Sequence, residues 1–111
     1  MSITAIEQAS NVMQQLVALE RELRRQGLWA QSAPPPSAFD SVQPFCIDTM
    51  SFIAWLQFVL IPRMSQCVAS GEALPSASGI APMAEEALQL PLSSRVSVIT
   101  ILERLDSLLS H

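Results

Sequence analysis

A chain of 111 residues, half of them apolar, with a mean hydropathy of +0.34 and only 14% charged residues, can bury one core but not two. That composition excludes a chain disordered throughout, because disordered chains are poor in apolar residues and rich in charge. The net charge is −4, the isoelectric point is near 4.7 and all six cations are arginine, so the surface repels phosphate and general nucleic-acid binding is disfavoured.

The first ten residues, MSITAIEQAS, have no basic run and carry Glu7, so no secretory signal is expected. Residues 3–26 are predicted to form a helix. Ile3, Ile6, Val12, Met13, Leu16, Leu19 and Leu23 recur at spacings of three and four. Glu20 and Arg24 are ordered for an i,i+4 pair, and Arg21, Arg24 and Arg25 suit the negative end of the helix dipole. Gly27 supplies a left-handed C′ position, after which Leu28 or Trp29 can fold back on the helix end.

Residues 30–44 cannot continue that helix. Pro34, Pro35 and Pro36 remove three backbone donors and impose an extended, stiff crossover, with Phe39 as its expected anchor. A central helix follows at 49–69, capped by Asp48 or Thr49. Its start, from Met50 to Ile61, is apolar nearly all round, which suits a bundle centre or a bilayer. Asp48 and Arg63 bound the run, Gln57 interrupts it and Pro62 breaks it, short of the roughly 20 apolar residues of a membrane span. Burial is the expected outcome, with no membrane association and a kink at Pro62.

Gly71 stops the central helix and residues 74–82 read as a loop. Pro82 then opens a short helix predicted at 82–89, with Glu85 and Glu86 early in it. Val96, Val98, Thr100 and Leu102 alternate as in a strand, but Leu105, Leu108 and Leu109 continue at helical spacing without a turn residue. One helix over 95–109 accounts for both halves. The expected fold is all-α: a single-domain bundle of four to five helices around the central apolar one, with a proline-rich crossover.

Gln43-Pro44-Phe45, Asp48-Thr49-Met50, Trp55-Leu56-Gln57 and Val59-Leu60-Ile61-Pro62-Arg63-Met64 closely resemble the YqcC-like family of small bacterial proteins. Leu19-Glu20, Trp29, Leu74-Pro75, Ile80-Ala81-Pro82 and Leu105-Asp106 extend the resemblance over most of the chain. The resemblance implies a helical, cytoplasmic protein without an established biochemical function. Some family labels carry the name of transfer RNA pseudouridine synthase C, which implies an association with that enzyme and not its activity.

No residue set makes a convincing catalytic centre. The Arg104-Leu105-Asp106 triplet looks superficially like the catalytic-aspartate motif of one pseudouridine synthase class. The preceding histidine and following Thr-Ser-Gly are missing, so Asp106 is expected on a solvated helix face. The sole histidine is His111 and no CxxC pair exists, so neither a metal nor a cofactor is expected, and Cys46 and Cys67 read as buried thiols. Candidate binding residues are Trp29, Asp48, Gln57 and Arg63: Trp29 as a contact surface, the other three as polar groups beside an apolar helix. Arg63, next to Pro62, is expected to be partly buried and bonded to a freed carbonyl or a carboxylate. Trp55 is expected in the core.

The favoured reading is a non-enzymatic cytosolic interaction module, possible company for tRNA modification, binding an unidentified protein partner or further copies of itself. A small-molecule binder with an apolar pocket is the alternative, and direct tRNA pseudouridine synthesis a distant third.

Overall fold

Val12, Leu16, Leu19 and Leu23 step along one stripe of the first helix, α1 (Ile3–Arg25), and all four are buried. The computed structural model describes residues 3–72, 74 and 79–109. Ile6 and Met13, which the spacing also assigned to the buried stripe, are exposed together with Val17 on a second stripe. α1 ends as its glycine dictates: Gly27 has φ 73°, its N–H donates to the Arg24 carbonyl and the Leu28 N–H donates to the Leu23 carbonyl at 2.8 Å. That pair of bonds is a Schellman cap, and it turns Leu28 and Trp29 back against the core.

The crossover is only partly extended. Residues 36–40 close into a 3₁₀ turn (Pro36–Asp40) that buries Ala38 and leaves Phe39 exposed. The anchor is therefore Ala38 and not Phe39: Ala38 is buried, and the Thr49 hydroxyl donates to its carbonyl at 2.6 Å.

The central helix, α2 (Phe52–Ser70), begins three residues later than the sequence suggested. Ser51 caps it, accepting from the Ala54 N–H at 3.1 Å; Asp48 and Thr49 bond elsewhere and so cannot. Leu56–Leu60 forms a π turn, with the Ile61 N–H donating to the Leu56 carbonyl five residues back. Pro62 explains it. Its ring would collide with the carbonyl four residues earlier in a regular helix, and the wider turn moves that carbonyl aside. The buried residues Phe52, Leu56, Leu60 and Met64 are spaced by four throughout. In a pure α-helix each such step overshoots a turn by about 40°, and the wider turn takes up that drift. The expected kink is thus a local expansion, and the helix runs on to Gly71 at φ 74°. By length and composition alone α2 could cross a membrane, but these four side chains are turned into the bundle.

The third helix, α3 (Ile80–Ala87), starts two residues before Pro82 and buries Ile80, Ala81 and Ala84. Glu85 and Glu86 consequently fall in its second half, exposed. The last helix, α4 (Leu92–Leu109), buries Val98, Ile99, Leu102, Leu105 and Leu109 and has no strand character at 96–102. Residues 75–78 of the expected loop and His111 lie outside the described residues. Four helices and no strand are present among the described residues, so the fold is all-α.

α1 and α4 pack along each other, with α3 on α4 and the second half of α2 on α1. Two glutamines fasten α1 to α4 in antiparallel register. Gln8 donates to the Leu108 carbonyl at 2.7 Å near one end, and Gln26 to the Ser94 carbonyl at 3.1 Å near the other. Asp106 is not on a solvated face. Its carboxylate accepts from the Ile80 N–H at 3.1 Å and the Ala81 N–H at 2.8 Å, capping α3 from another helix, because Gly79 has no side chain with which to do so. Asp106→Ala is expected to lower stability by about 1–2 kcal/mol in urea unfolding, the usual cost of a lost cap.

At the end of α1, Arg25 and then Gln26 hydrogen-bond the Glu22 carboxylate and hold its carboxyl below the ordinary carboxylate value. A carboxyl depressed on folding stabilises fully above its unfolded pKa, and the contribution is lost as pH falls through the folded value. Between neutral pH and about pH 4 or below, Glu22→Gln is expected to lose less stability than the parent chain. An equal loss in both, measured by urea midpoints, would show that Glu22 takes no part in the acid sensitivity.

Candidate interaction site

Gln57 is 6% exposed, and its amide is fully engaged. It accepts from the Ala30 N–H and donates to the Ala30 carbonyl, both at 2.8 Å. A primary amide can meet the N–H and the carbonyl of one residue in this two-point manner, and it satisfies the buried Gln57 side chain. The π turn carries Gln57, so the widened helix grips the chain immediately after Trp29. Trp29 is half-buried against the core, with the Arg24 guanidinium 4.6 Å from its ring centroid.

Of the four residues singled out by sequence, the structure thus links Trp29 and Gln57 through Ala30. The other two are elsewhere. Asp48 is exposed and accepts from the Ser41 hydroxyl. Arg63 is exposed and makes no hydrogen bond or ion pair among the described residues, contrary to the burial expected beside Pro62. The cause is the face that α2 turns inward: with Leu60 and Met64 buried, Pro62 and Arg63 fall on its outer side. Trp55, expected in the core, is half-buried at its edge, and both cysteines are half-buried thiols.

The feature that sequence reading missed is the turn at residues 44–47. Phe45 (φ 60°) and Cys46 (φ 49°) are both left-handed, and the Ile47 N–H donates to the Pro44 carbonyl at 3.3 Å, as in a type I′ turn. Such turns normally need glycine, asparagine or aspartate at the two central positions, and none is present to signal one. Each left-handed residue with a side chain costs about 1–2 kcal/mol. Phe45 recovers much of this by packing edge-on to Trp55 at 4.8 Å and tilted on Phe52 at 5.8 Å, since aromatic pairs contribute about 0.5–1.5 kcal/mol each. Phe52 and Trp55 stack at 5.8 Å, completing the corner, and the Cys46 carbonyl accepts from the Thr49 and Met50 N–H groups at 3.0 Å.

The turn holds Ile47 outward, 43% exposed. Beside it lies an open groove of about 530 Å³, with Ile47, Met50 and Ile53 on one side and Glu86, Leu88 and Leu90 on the other. Its lining is mainly apolar, with Ser51, Glu86 and Gln89 as the polar members. Among the described residues no group of three His, Cys, Asp or Glu side chains converges to hold a metal ion.

A family model described as tRNA pseudouridine synthase C matches residues 11–108. The uncharacterized protein YqcC of Escherichia coli strain K12 is 44% identical over 94 residues, 85% of this chain and 86% of that one. The solution NMR structure of YqcC from E. coli superposes with a TM-score of 0.81 at 41% identity, covering 93% of this chain and 88% of that one. A protein of Pectobacterium carotovorum subsp. carotovorum named tRNA pseudouridine synthase C is 42% identical over 66 residues, 60% of this chain but 18% of that protein.

Gln57→Leu removes two hydrogen bonds to Ala30, whose main chain water can reach, and is expected to destabilise by about 1–3 kcal/mol, from about 0.5–1.5 kcal/mol per bond. Arg63→Met, on the outer side of the same helix, is expected to stay within about 0.5 kcal/mol of the parent. Urea unfolding of the two variants side by side checks both values.

Proposed function

The chain belongs to the YqcC-like family, whose model is described as tRNA pseudouridine synthase C, and from that membership we propose a non-catalytic, cytoplasmic interaction module that docks on the tRNA-modification machinery. The observation that carries this reading is the strained Phe45–Cys46 turn, which sets exposed Ile47 at the mouth of an apolar groove. Backbone strain of this kind concentrates at sites that bind or switch, and capping of α2 does not require it, because Ser51 caps that helix by itself.

The partner proposed is tRNA pseudouridine synthase C. The Pectobacterium protein of that name resembles this chain over only 18% of its length, so 82% of it lies outside the matched segment. That proportion favours a helical module working alongside the enzyme over a module that is the enzyme. Asp106, the residue nearest in pattern to a catalytic aspartate, supports the same view, since its carboxylate receives two main-chain N–H groups of α3. A small-molecule pocket built from Asp48, Gln57 and Arg63 is less well supported: Gln57 is consumed by Ala30, Asp48 by Ser41, and Arg63 faces outward.

The test is direct binding between this chain and the tRNA pseudouridine synthase C of the same bacterium, by calorimetry on purified proteins. A stoichiometric complex is expected, and Ile47→Asp is expected to weaken it at least tenfold, about 1.4 kcal/mol, without altering the helical circular dichroism. The chain alone is expected to leave the uridines of tRNA unchanged. Absence of a complex, or pseudouridine formed by the chain alone, would overturn the reading.

A further inference from the structure

α1 carries two apolar stripes and the bundle uses one. On the outer stripe Ile6 (53% exposed), Met13 (36%) and Val17 (43%) are interleaved with Ser10 at steps of four, three and four. That is the spacing of a seam between two helices, with a small residue where close approach is needed. The stripe borders an open groove of about 400 Å³ that Gln14, Ala18 and Arg21 complete.

The charges on α1 indicate what covers it. Glu20 pairs with Arg24, and Glu22 with Arg25, within the helix. Glu7 and Arg21 are exposed and make no hydrogen bond or ion pair among the described residues. They lie at opposite ends of the stripe, on the same flank, each seven residues from Gln14, or about 10 Å along the axis at 1.5 Å per residue. An antiparallel second α1, related by a two-fold axis passing near Gln14, brings each Glu7 towards the other copy's Arg21 and sets Met13 opposite Val17. A parallel pairing would instead put the two copies' charged flanks on opposite sides of the seam, where no Glu7 meets an Arg21. We propose that the occupant of this face is a second copy of the chain, joined through α1 in an antiparallel, two-fold contact. With three large apolar side chains per copy on this face, the dimer is expected to be weak and reversible.

Sedimentation equilibrium over a concentration series tests this, with circular dichroism as the control for folding. The parent chain is expected to approach twice the monomer mass at high concentration, and Val17→Asp to remain monomeric with unchanged helicity. Glu7→Arg is expected to weaken the dimer about tenfold, and adding Arg21→Glu to the same chain to restore it, because the swap regenerates both pairs with signs reversed. A parent chain that stays monomeric at hundreds of micromolar overturns the proposal. So does failure of the double swap to restore what the single one lost. The proposal does not depend on the enzyme partner: Val17→Asp should still bind the pseudouridine synthase, and loss of that binding in a chain monomeric with or without the substitution would assign the face to the enzyme instead.

Discussion

The rest of the structure depends on the widened turn of α2. Pro62 has no N–H and cannot tolerate a regular turn before it, and the buried positions at 52, 56, 60 and 64 need slightly more than an α-helical turn each to stay aligned. One π turn meets both demands. It also carries Gln57, whose amide clasps both main-chain groups of Ala30 and so fixes where the chain leaves α1. From there the crossover is committed to a path that buries Ala38, receives the Thr49 hydroxyl and arrives at the aromatic corner. A change in the helix geometry at residue 60 would thus be felt at residues 30 and 45.

The polar ties between elements are neutral side chains on main-chain groups to an unusual degree. Gln8, Gln26, Gln57 and Thr49 all bond backbone atoms far along the chain, and Asp106 is the one acidic side chain that caps another helix among the described residues. In a protein with 14% charged residues and no lysine this is a physical economy. An amide buried with both partners satisfied avoids the desolvation cost of a buried ion pair. The ion pairs among the described residues are instead local to α1, where they support the helix more than the tertiary structure.

The helical class was legible because 3.6-residue periodicity is strong in α1 and in the second half of α4, and the glycine at 27 could mean little else. The buried stripe of α1 was less so: Ile6 and Met13 share its spacing but belong to a second stripe, and one sequence cannot say which stripe the bundle takes. The start of α2 was misplaced because Asp48, Thr49 and Ser51 are all good capping residues, and only tertiary contacts to Ser41 and Ala38 decide among them. The π turn did leave a trace, in the unbroken four-residue spacing before and across Pro62. Arg63 was misjudged because its spacing from the buried stripe puts it on the flank, and only the packing of α2 shows that this flank is exposed. The Phe45–Cys46 turn left no trace, because its conformation is imposed by aromatic packing against the local preference of both residues.

That last point bears on where function resides. Two left-handed side-chain-bearing residues cost about 2–4 kcal/mol together, a large share of the 5–15 kcal/mol that holds a typical domain folded. The aromatic contacts of Phe45 offset part of the cost, but a glycine at position 46 would give the same turn with less strain. A connection serving only to join the crossover to α2 could relax in that way. What the present turn adds is position: Phe45 is wedged into the corner, and Ile47 is consequently held out over the groove where a flexible loop would let it collapse inward. An apolar side chain fixed in an exposed place has little conformational freedom left to lose on binding, which lowers the cost of association. On the proposed reading, strain borne in the free protein becomes a rigid contact point, which is the physical basis for proposing this corner as a docking surface.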